Sequence, residues 1–568
     1  MDGLSCNEKI MSQEFWDFII PLYRDEELEA VLPERICIQE MDFGYKSVYV
    51  DSQILEPLTI ERYWYNSIPQ CYVPLDTNAL TAAGITPLHN YPTFQLMGEG
   101  IMIGFLDTGI DYRNSIFRNL DGSTRIAGIW DQTIQEGAPP RELDYGSEYT
   151  EGMINEALRS EHPMEIVPSL DENGHGTYVA SVAAGGASVE NQFIGAAPEA
   201  TIAVVKLKQA KDYLKEFYAI SENALCFQEN DIMLGLKYLN MIALERRMPL
   251  VICIALGTNF GGHNGTSLLS TILDRYSTVL NRCAVIGTGN EAALRHHYYH
   301  MFRDIQDRAS VEIRVGKDVE GFVAELWSTI PNVVTVSVMS PSGERTGNIP
   351  LRLGYRFQYL FSFERTTVTV EYRLLQENND SQLVFMHFKN AVPGIWKIEV
   401  MPAFGSEGDF HIWLPIQGFL EGEIYFLESN PDHTMTEPGS SRMAMTVAYY
   451  NSIENGVDIN SGRGYTRDGL IKPDYAVPGV EVTGAGLNGS FVTRTGSSVA
   501  TGIAAGAAAL LMEWILEQPE ARGVNSSQIR NIILLGTDQR AMVEYPNREW
   551  GYGTMNLFQS LDTLRRLK

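Results

Sequence analysis

The chain has 568 residues, 44% of them hydrophobic and 20% charged, a globular composition too long for one ordinary domain. A large core with one or two satellites is therefore expected. The 43 basic and 71 acidic residues give a formal charge of −28, which argues against nucleic acid or an anionic membrane as the main partner.

Cys6, Cys37, Cys71, Cys226, Cys253 and Cys283 lack CxxC spacing and read as neither a zinc site nor a disulfide scaffold. No basic leader followed by an apolar run opens the sequence, so no secretory signal is read. No apolar run reaches the roughly 18 residues of a transmembrane segment. Synthesis and retention inside a cell or a cell-derived compartment are expected.

Residues 1–76 read as a small α+β unit. Ser12 is placed to cap a helix over residues 13–20 that stops at Pro21. Two alternating runs, Arg35-Ile-Cys-Ile-Gln and Lys46-Ser-Val-Tyr-Val-Asp, are joined through Phe43-Gly-Tyr like a hairpin. The Tyr63-Trp-Tyr cluster then leads into an extended stretch, Gln70-Cys-Tyr-Val-Pro-Leu-Asp.

From Gly100 strands and helices alternate, as in a parallel sheet with helices on both faces. Ile101-Met-Ile-Gly-Phe-Leu is a buried-strand run that ends in Asp107-Thr-Gly, where open α/β sheets place their chemistry. His175, between two glycines, begins a helix of small residues. Asp231 is read as the cap of another, with apolar positions at Ile232, Leu236, Leu239 and Ala243. Strand runs lead into Ala255-Leu256-Gly257 and into Gly289-Asn290-Glu.

Between residues 295 and 435 short alternating segments replace helical periodicity, which predicts an inserted antiparallel β-sandwich or jelly roll. The α/β pattern resumes over residues 436–568. Near its end Gly496-Ser497-Ser498 opens a small-residue helix in which Gly506 admits a close backbone neighbour.

Asp107, His175 and a serine of Gly496-Ser-Ser thus stand at strand ends or helix starts of one sheet, in the order Asp, His, Ser. That order distinguishes the subtilisin arrangement from the other Ser–His–Asp folds. Asp107-Thr-Gly, His175-Gly-Thr-Tyr-Val-Ala and Gly496-Ser-Ser-Val-Ala resemble the three catalytic motifs of the subtilases. Ala255-Leu-Gly is similar to the family's substrate-binding strand, Gly289-Asn290 to its oxyanion-hole segment, and Gly551-Tyr-Gly-Thr-Met-Asn to its C-terminal signature.

The resemblance covers roughly residues 80–294 and 436–568. It implies a subtilisin-like core in two parts, residues 77–294 and 436–568. It also implies Ser498 as nucleophile, Ser497 as its structural neighbour, His175 as base, Asp107 as its orienting partner and Asn290 as oxyanion donor. The sequence departs from the family at Thr501-Gly-Ile, where Ser-Pro-His is usual; this puts helix packing in question rather than the triad. No cofactor is implied, no dedicated calcium loop is read, and metal binding stays open.

Within the subtilases, the prodomain-like unit, the β insertion, Ile129-Trp-Asp-Gln-Thr and Glu165-Ile-Val-Pro-Ser-Leu-Asp-Glu-Asn-Gly-His-Gly-Thr resemble the Csp-type germination proteases of spore-forming clostridia. That resemblance implies a prodomain that acts as an intramolecular chaperone, self-cleavage somewhere over residues 72–80, and packaging in the spore. It further implies a cortex-lytic hydrolase zymogen as the protein substrate. Two alternatives stand beside it, a general intracellular subtilase and a catalytically silent sensing protein.

Overall fold

The computed structural model describes residue 9 and residues 14–21, 35–41, 45–55, 78–90, 95–352, 356–374, 380–404, 407–520 and 522–567. It divides into two compact units, Met1–Pro74 and Leu75–Lys568.

The first unit contains a three-stranded antiparallel sheet. Ile36–Met41 pairs with Tyr45–Asp51 as the hairpin pattern requires. The helix expected over residues 13–20 is not formed. Phe15–Pro21 is instead a strand paired with Tyr45–Asp51. The Phe-Trp-Asp-Phe-Ile-Ile run is aromatic and β-branched, and packing Phe18 against Val48 and Val50 outweighs a lone cap signal. Cys37 is disulfide-bonded, a constraint the scattered cysteine spacing did not announce. The Tyr63 cluster and the extended stretch after it lie outside the described residues.

The second unit is built on a nine-stranded sheet. Met102–Asp107 lies between the parallel strands Leu250–Ile254 and Thr201–Lys206. Outside these lie Arg282–Gly287 and Met445–Asn451 on one side and Ile126–Asp131 on the other, all parallel. Tyr475–Pro478 runs parallel beside Met445–Asn451, and the antiparallel strands Ser147–Thr150 and Gly456–Val457 complete the sheet.

Side chains alternate between two cores with the period of a strand. Ile103, Phe105, Val251, Cys253 and Val285 face the helices His175–Ala184 and Ser497–Leu516. Met102, Leu106, Ile252 and Ile286 face Glu229–Glu245 and Leu268–Thr278. Glu229–Glu245 starts two residues before Asp231, so Asp231 is not its cap. The Asp231 carboxylate accepts the Tyr145 hydroxyl at 2.7 Å and pairs with Lys208.

Ser497–Leu516 is 20 residues long, long and apolar enough for a membrane span, yet most of it is buried inside the protein. Its composition serves the core. The departure at residues 501–503 belongs to the same packing. A Cβ on Gly502 would lie 3.1 Å from the Val179 carbonyl oxygen, and one on Gly506 would lie 2.7 Å from that of Ala183. Two glycines one turn apart let the helix press against the backbone of His175–Ala184.

Residues 297–426 fold as two antiparallel sheets over a separate apolar core. The six-stranded sheet runs from His297–Phe302 through Gly321–Thr329 and Ser381–Lys389 to Arg356–Leu360. The four-stranded sheet contains Val333–Met339, Gly394–Phe404, Ala309–Val315 and Ile424–Phe426. The six-stranded sheet is attached to the α/β part by buried Trp413 stacked on His263 at 4.0 Å and by polar contacts. The Arg467 guanidinium donates to the Gly262 carbonyl at 2.7 Å, to Thr329 Oγ1 at 3.0 Å and to Ser381 Oγ at 2.6 Å.

Candidate active site

Asp107 is the last residue of Met102–Asp107, and only 2% of its surface is exposed. His175 is the first residue of its helix and Ser498 the second of Ser497–Leu516. The sheet and these two helix starts bring the three together across 391 positions of sequence (498 − 107). His175 Nδ1 donates to Asp107 at 2.7 Å (Oδ1) and 2.9 Å (Oδ2). A carboxylate only accepts, so the neutral imidazole keeps its proton on Nδ1 and presents the Nε2 lone pair. Ser498 Oγ donates to that nitrogen at 3.0 Å.

Burial pulls the His175 pKa down, but the charge and hydrogen bond of Asp107 outweigh it, so the net direction is upward. Arg494, beside the ring, works against that rise. Asp107 is therefore placed to stabilise a charged imidazole at His175.

Gly174 and Gly176, which flank His175, serve the backbone. Gly174 has φ of 83° at the helix N-cap, and a Cβ on Gly176 would lie 2.2 Å from the Gly109 carbonyl oxygen. Sequence reasoning missed the residue that locks this turn. Buried Asp171 accepts from Thr108 Oγ1 at 2.8 Å, Gly174 N at 2.8 Å, Thr177 N at 2.8 Å and Thr177 Oγ1 at 2.7 Å. Thr108 Oγ1 in turn accepts the Gly176 N–H at 3.0 Å, which ties the His175 turn to the Asp107 strand end. Its spacing, four residues before His175 with a glycine between, was the available signal.

The adjacent serines have separate tasks. Ser497 Oγ accepts the Gly289 N–H at 3.0 Å, and the Ser497 N–H donates to Asn290 Oδ1 at 2.9 Å. Because that N–H only donates, the atom facing it is the amide oxygen, and Asn290 is left with its NH2 as donor. Ser498 lies in the first turn of a helix with no side-chain cap, where backbone N–H groups have no helical acceptor and the dipole favours negative charge. Asn290 and the Ser498 N–H are thus the two donors available to an oxyanion at Ser498.

Ala255, Leu256 and Gly257 follow the Leu250–Ile254 strand into the site, and the Ala255 carbonyl oxygen lies 3.4 Å from Ser498 Oγ. Gly257 and Gly289 face each other across Thr436. A Cβ on Gly257 would lie 2.4 Å from Thr436 Oγ1, and one on Gly289 would lie 2.5 Å from Thr436 Cγ2. The Thr436 N–H donates to the Thr288 carbonyl at 3.0 Å, and Thr258 and Glu437 exchange backbone bonds of 2.9 and 2.8 Å. Thr436, 1% exposed, therefore floors the slot between the two backbone walls.

Glu291, beside Asn290, was not singled out from sequence. It accepts from Asn259 Nδ2 at 2.9 Å, His296 Nδ1 at 2.6 Å and the Gln417 N–H at 3.2 Å, so it binds the oxyanion segment to the β insertion. Among the described residues no group of His, Cys, Asp or Glu is arranged to hold a metal ion.

This geometry has counterparts. In Arabidopsis thaliana, the subtilisin-like protease SBT2.2 is 30% identical over 186 residues, 28% of this chain and 21% of that protein. SBT2.3 of the same plant is 28% identical over 185 residues, with the same two shares. The chain spans about a fifth of the length of these curated relatives.

The solved structure of the Clostridium perfringens CspB protease superposes with a TM-score of 0.77 at 30% identity, covering 86% of this chain and 98% of that one. The model of the Subtilase family matches residues 98–347 and 408–553, and these two stretches contain Asp107, His175, Asn290 and Ser498. With its motifs in order and its relay at hydrogen-bond distance, the chain belongs to the subtilase family.

Proposed function

We propose that this protein is a serine endopeptidase that cleaves its own N-terminal unit and then activates a spore cortex-lytic hydrolase zymogen by limited proteolysis. The observation that carries the catalytic reading is the unbroken relay from Asp107 through His175 to Ser498, with Asn290 beside it.

In the first half-reaction Ser498 Oγ attacks the scissile carbonyl carbon while its proton passes to His175 Nε2. The carbonyl oxygen takes the negative charge and is met by the Asn290 amide and the Ser498 N–H. His175 then gives the proton to the leaving amine, and the acyl group stays on Ser498. Water repeats the sequence and frees the acid. Losing the Asn290 donor is expected to cost on the order of 3 kcal/mol in the barrier.

The finer reading, autoprocessing and the germination substrate, is supported by the likeness to the CspB protease over nearly all of that chain and by the N-terminal unit and β insertion. Action within the spore belongs to the same proposal. A fluorophosphonate probe is expected to label wild type and not Ser498→Ala. N-terminal sequencing is expected to find wild type cut within residues 72–80 and Ser498→Ala intact. A cut Ser498→Ala chain would remove autoprocessing. Purified cortex-lytic zymogen left unconverted by unlabelled enzyme from a probe-reactive preparation would remove the germination substrate.

A further inference from the structure

Beyond Gly257 the substrate-binding segment runs into a connected set of aromatic rings. Phe260 stacks on Tyr218 with centroids 4.7 Å apart, and Tyr218 meets Phe217 edge-on at 4.8 Å. Phe217 stacks on Phe385 at 5.2 Å, and Phe260 approaches Phe419 at 6.0 Å. The α/β part supplies Phe217, Tyr218 and Phe260; the β insertion supplies Phe385 and Phe419.

None of the five rings is buried, and 52% of Phe217 is exposed. Attachment of the insertion does not account for that exposure. The junction is held elsewhere, by Arg467 on Thr329 and Ser381, by Glu291 on the Gln417 N–H, by the Gly261 N–H on Glu325 Oε2 at 3.0 Å, and by buried Trp413 stacked on His263 at 4.0 Å. Phe217 is exposed and the other four rings are half-buried, so the ladder offers water a partly covered aromatic edge, the kind of surface that recognition uses.

Position identifies the occupant. The Ala255 carbonyl oxygen is 3.4 Å from Ser498 Oγ, so the bond to be cut lies at that end of the segment. A polypeptide added as a strand advances about 3.3 Å per residue, so it leaves Gly257 after roughly three residues and reaches Phe260 roughly five from the scissile bond. The Phe260 N–H donates to Thr258 Oγ1 at 3.2 Å, a turn that bends the segment at Asn259 and sets the ring just beyond the strand.

We propose that the ladder is an exosite for an apolar segment of the substrate polypeptide, centred roughly five residues from the cut. The proposal rests on the endopeptidase reading. It gives the β insertion a part in choosing substrates, because two of the five rings are its own. Phe217 sits at the ladder's open edge, on a short helix whose Glu216 pairs with Lys389 of the insertion at 3.2 Å.

The test uses the full chain and an octapeptide that it cleaves, selected from a randomised library. The octapeptide is extended at either end, in separate series, by five residues that are either apolar and aromatic or Ser and Gly. Wild type is expected to cleave the apolar extension about tenfold faster in kcat/KM in one series, and Phe217→Ser to abolish that preference with the unextended octapeptide unchanged. Phe217→Leu is expected to keep most of it, which separates recognition from folding.

Equal rates for both extensions in both series would overturn the exosite. So would a Phe217→Ser enzyme that slows on the bare octapeptide as much as on the extended ones. If the library yields no cleaved peptide and the fluorophosphonate probe does not react, the endopeptidase reading fails first and the exosite with it.

Discussion

Of Gly502 and Gly506, the closer contact is at Gly506, and replacing it with alanine sets two effects against each other. In a free helix Gly→Ala gains about 1 kcal/mol. Here the added methyl would lie 2.4 Å from Ala196 Cβ and 2.7 Å from the Ala183 carbonyl oxygen. Ordinary contacts are about 3.5 Å or longer, so the neighbours must retreat by roughly 1 Å. Overpacking of this kind costs about 1–3 kcal/mol, which cancels or exceeds the helical gain, and net destabilisation of about 1 kcal/mol is expected.

Ala183 belongs to the helix that starts with His175, while Gly506 belongs to the helix that carries Ser498. Any retreat therefore strains the 3.0 Å contact between Nε2 and Oγ. A misplacement near 1 Å at reacting groups costs about a hundredfold in rate, so kcat is expected to fall by roughly tenfold to a hundredfold. Gly152→Ala is the control. Gly152 lies in an exposed helix, and its nearest neighbour would be Thr150 Oγ1 at 3.9 Å. That change is expected to stabilise by about 0.5 kcal/mol and leave kcat alone. Thermal melting and active-site-titrated kinetics on both variants decide the matter. A Gly506→Ala enzyme more stable than wild type with unchanged kcat would show that the helix crossing does not position the relay.

Other expectations are independent of this one. His175 must be neutral to accept the serine proton, and its pKa is raised from 6.5, so kcat/KM is expected to climb with pH through a midpoint above 6.5. Asp107→Asn removes the raising cause; the midpoint should move down and kcat should drop by about 10⁴, and a pH–rate profile that keeps its midpoint would contradict this. The same raised pKa stabilises the fold fully below the ordinary histidine value and is lost as pH rises through the folded one. Asp171→Asn replaces an acceptor oxygen with an NH2 donor facing other donors and is expected to cost about 3 kcal/mol by chemical denaturation and to lower kcat. Thr436→Gly deepens the slot between Gly257 and Gly289, so bulky side chains beside the cut should gain about tenfold in kcat/KM over alanine; an unchanged preference profile would rule out Thr436 as the floor.

The proposed catalytic residues were legible because each sits in a short local pattern. Asp107 ends an apolar strand, and His175 and Ser498 open small-residue helices; those patterns survive without knowledge of long-range contacts. The parallel order of Met102–Asp107, Thr201–Lys206 and Leu250–Ile254 followed from the same alternation. What stayed hidden depends on partners distant in sequence or on a turn seen only in three dimensions. Asp171 reads as an ordinary turn acid until Thr108 closes on it from 63 positions away. The strand Phe15–Pro21 was misread because seven residues give few turns of periodicity, and pairing with Tyr45–Asp51 settled it.

Specificity was hidden for a further reason, which is also the physical logic of the insertion. The chain leaves the sheet just after Asn290, builds a sandwich with its own core, and returns at Thr436. Its departure is fastened by Glu291 to Asn259, and its return by the Thr258–Glu437 backbone pair. Both attachments fall on the segment that continues from Ala255, Leu256 and Gly257. A substrate strand laid along that segment would meet Thr436, the point of return to the sheet, beside the cut and, on the proposed exosite, Phe385 and Phe419 of the insertion farther out. The relay of Asp107, His175 and Ser498 is held by the sheet and its helices, and the oxyanion segment is tied to the insertion through Glu291. Changes within residues 295–435 should accordingly redirect which peptides are cut while the pH dependence set by Asp107 and His175 stays the same. An insertion variant that shifts the pH midpoint as much as it shifts substrate preference would show that the two parts do not divide the work in this way.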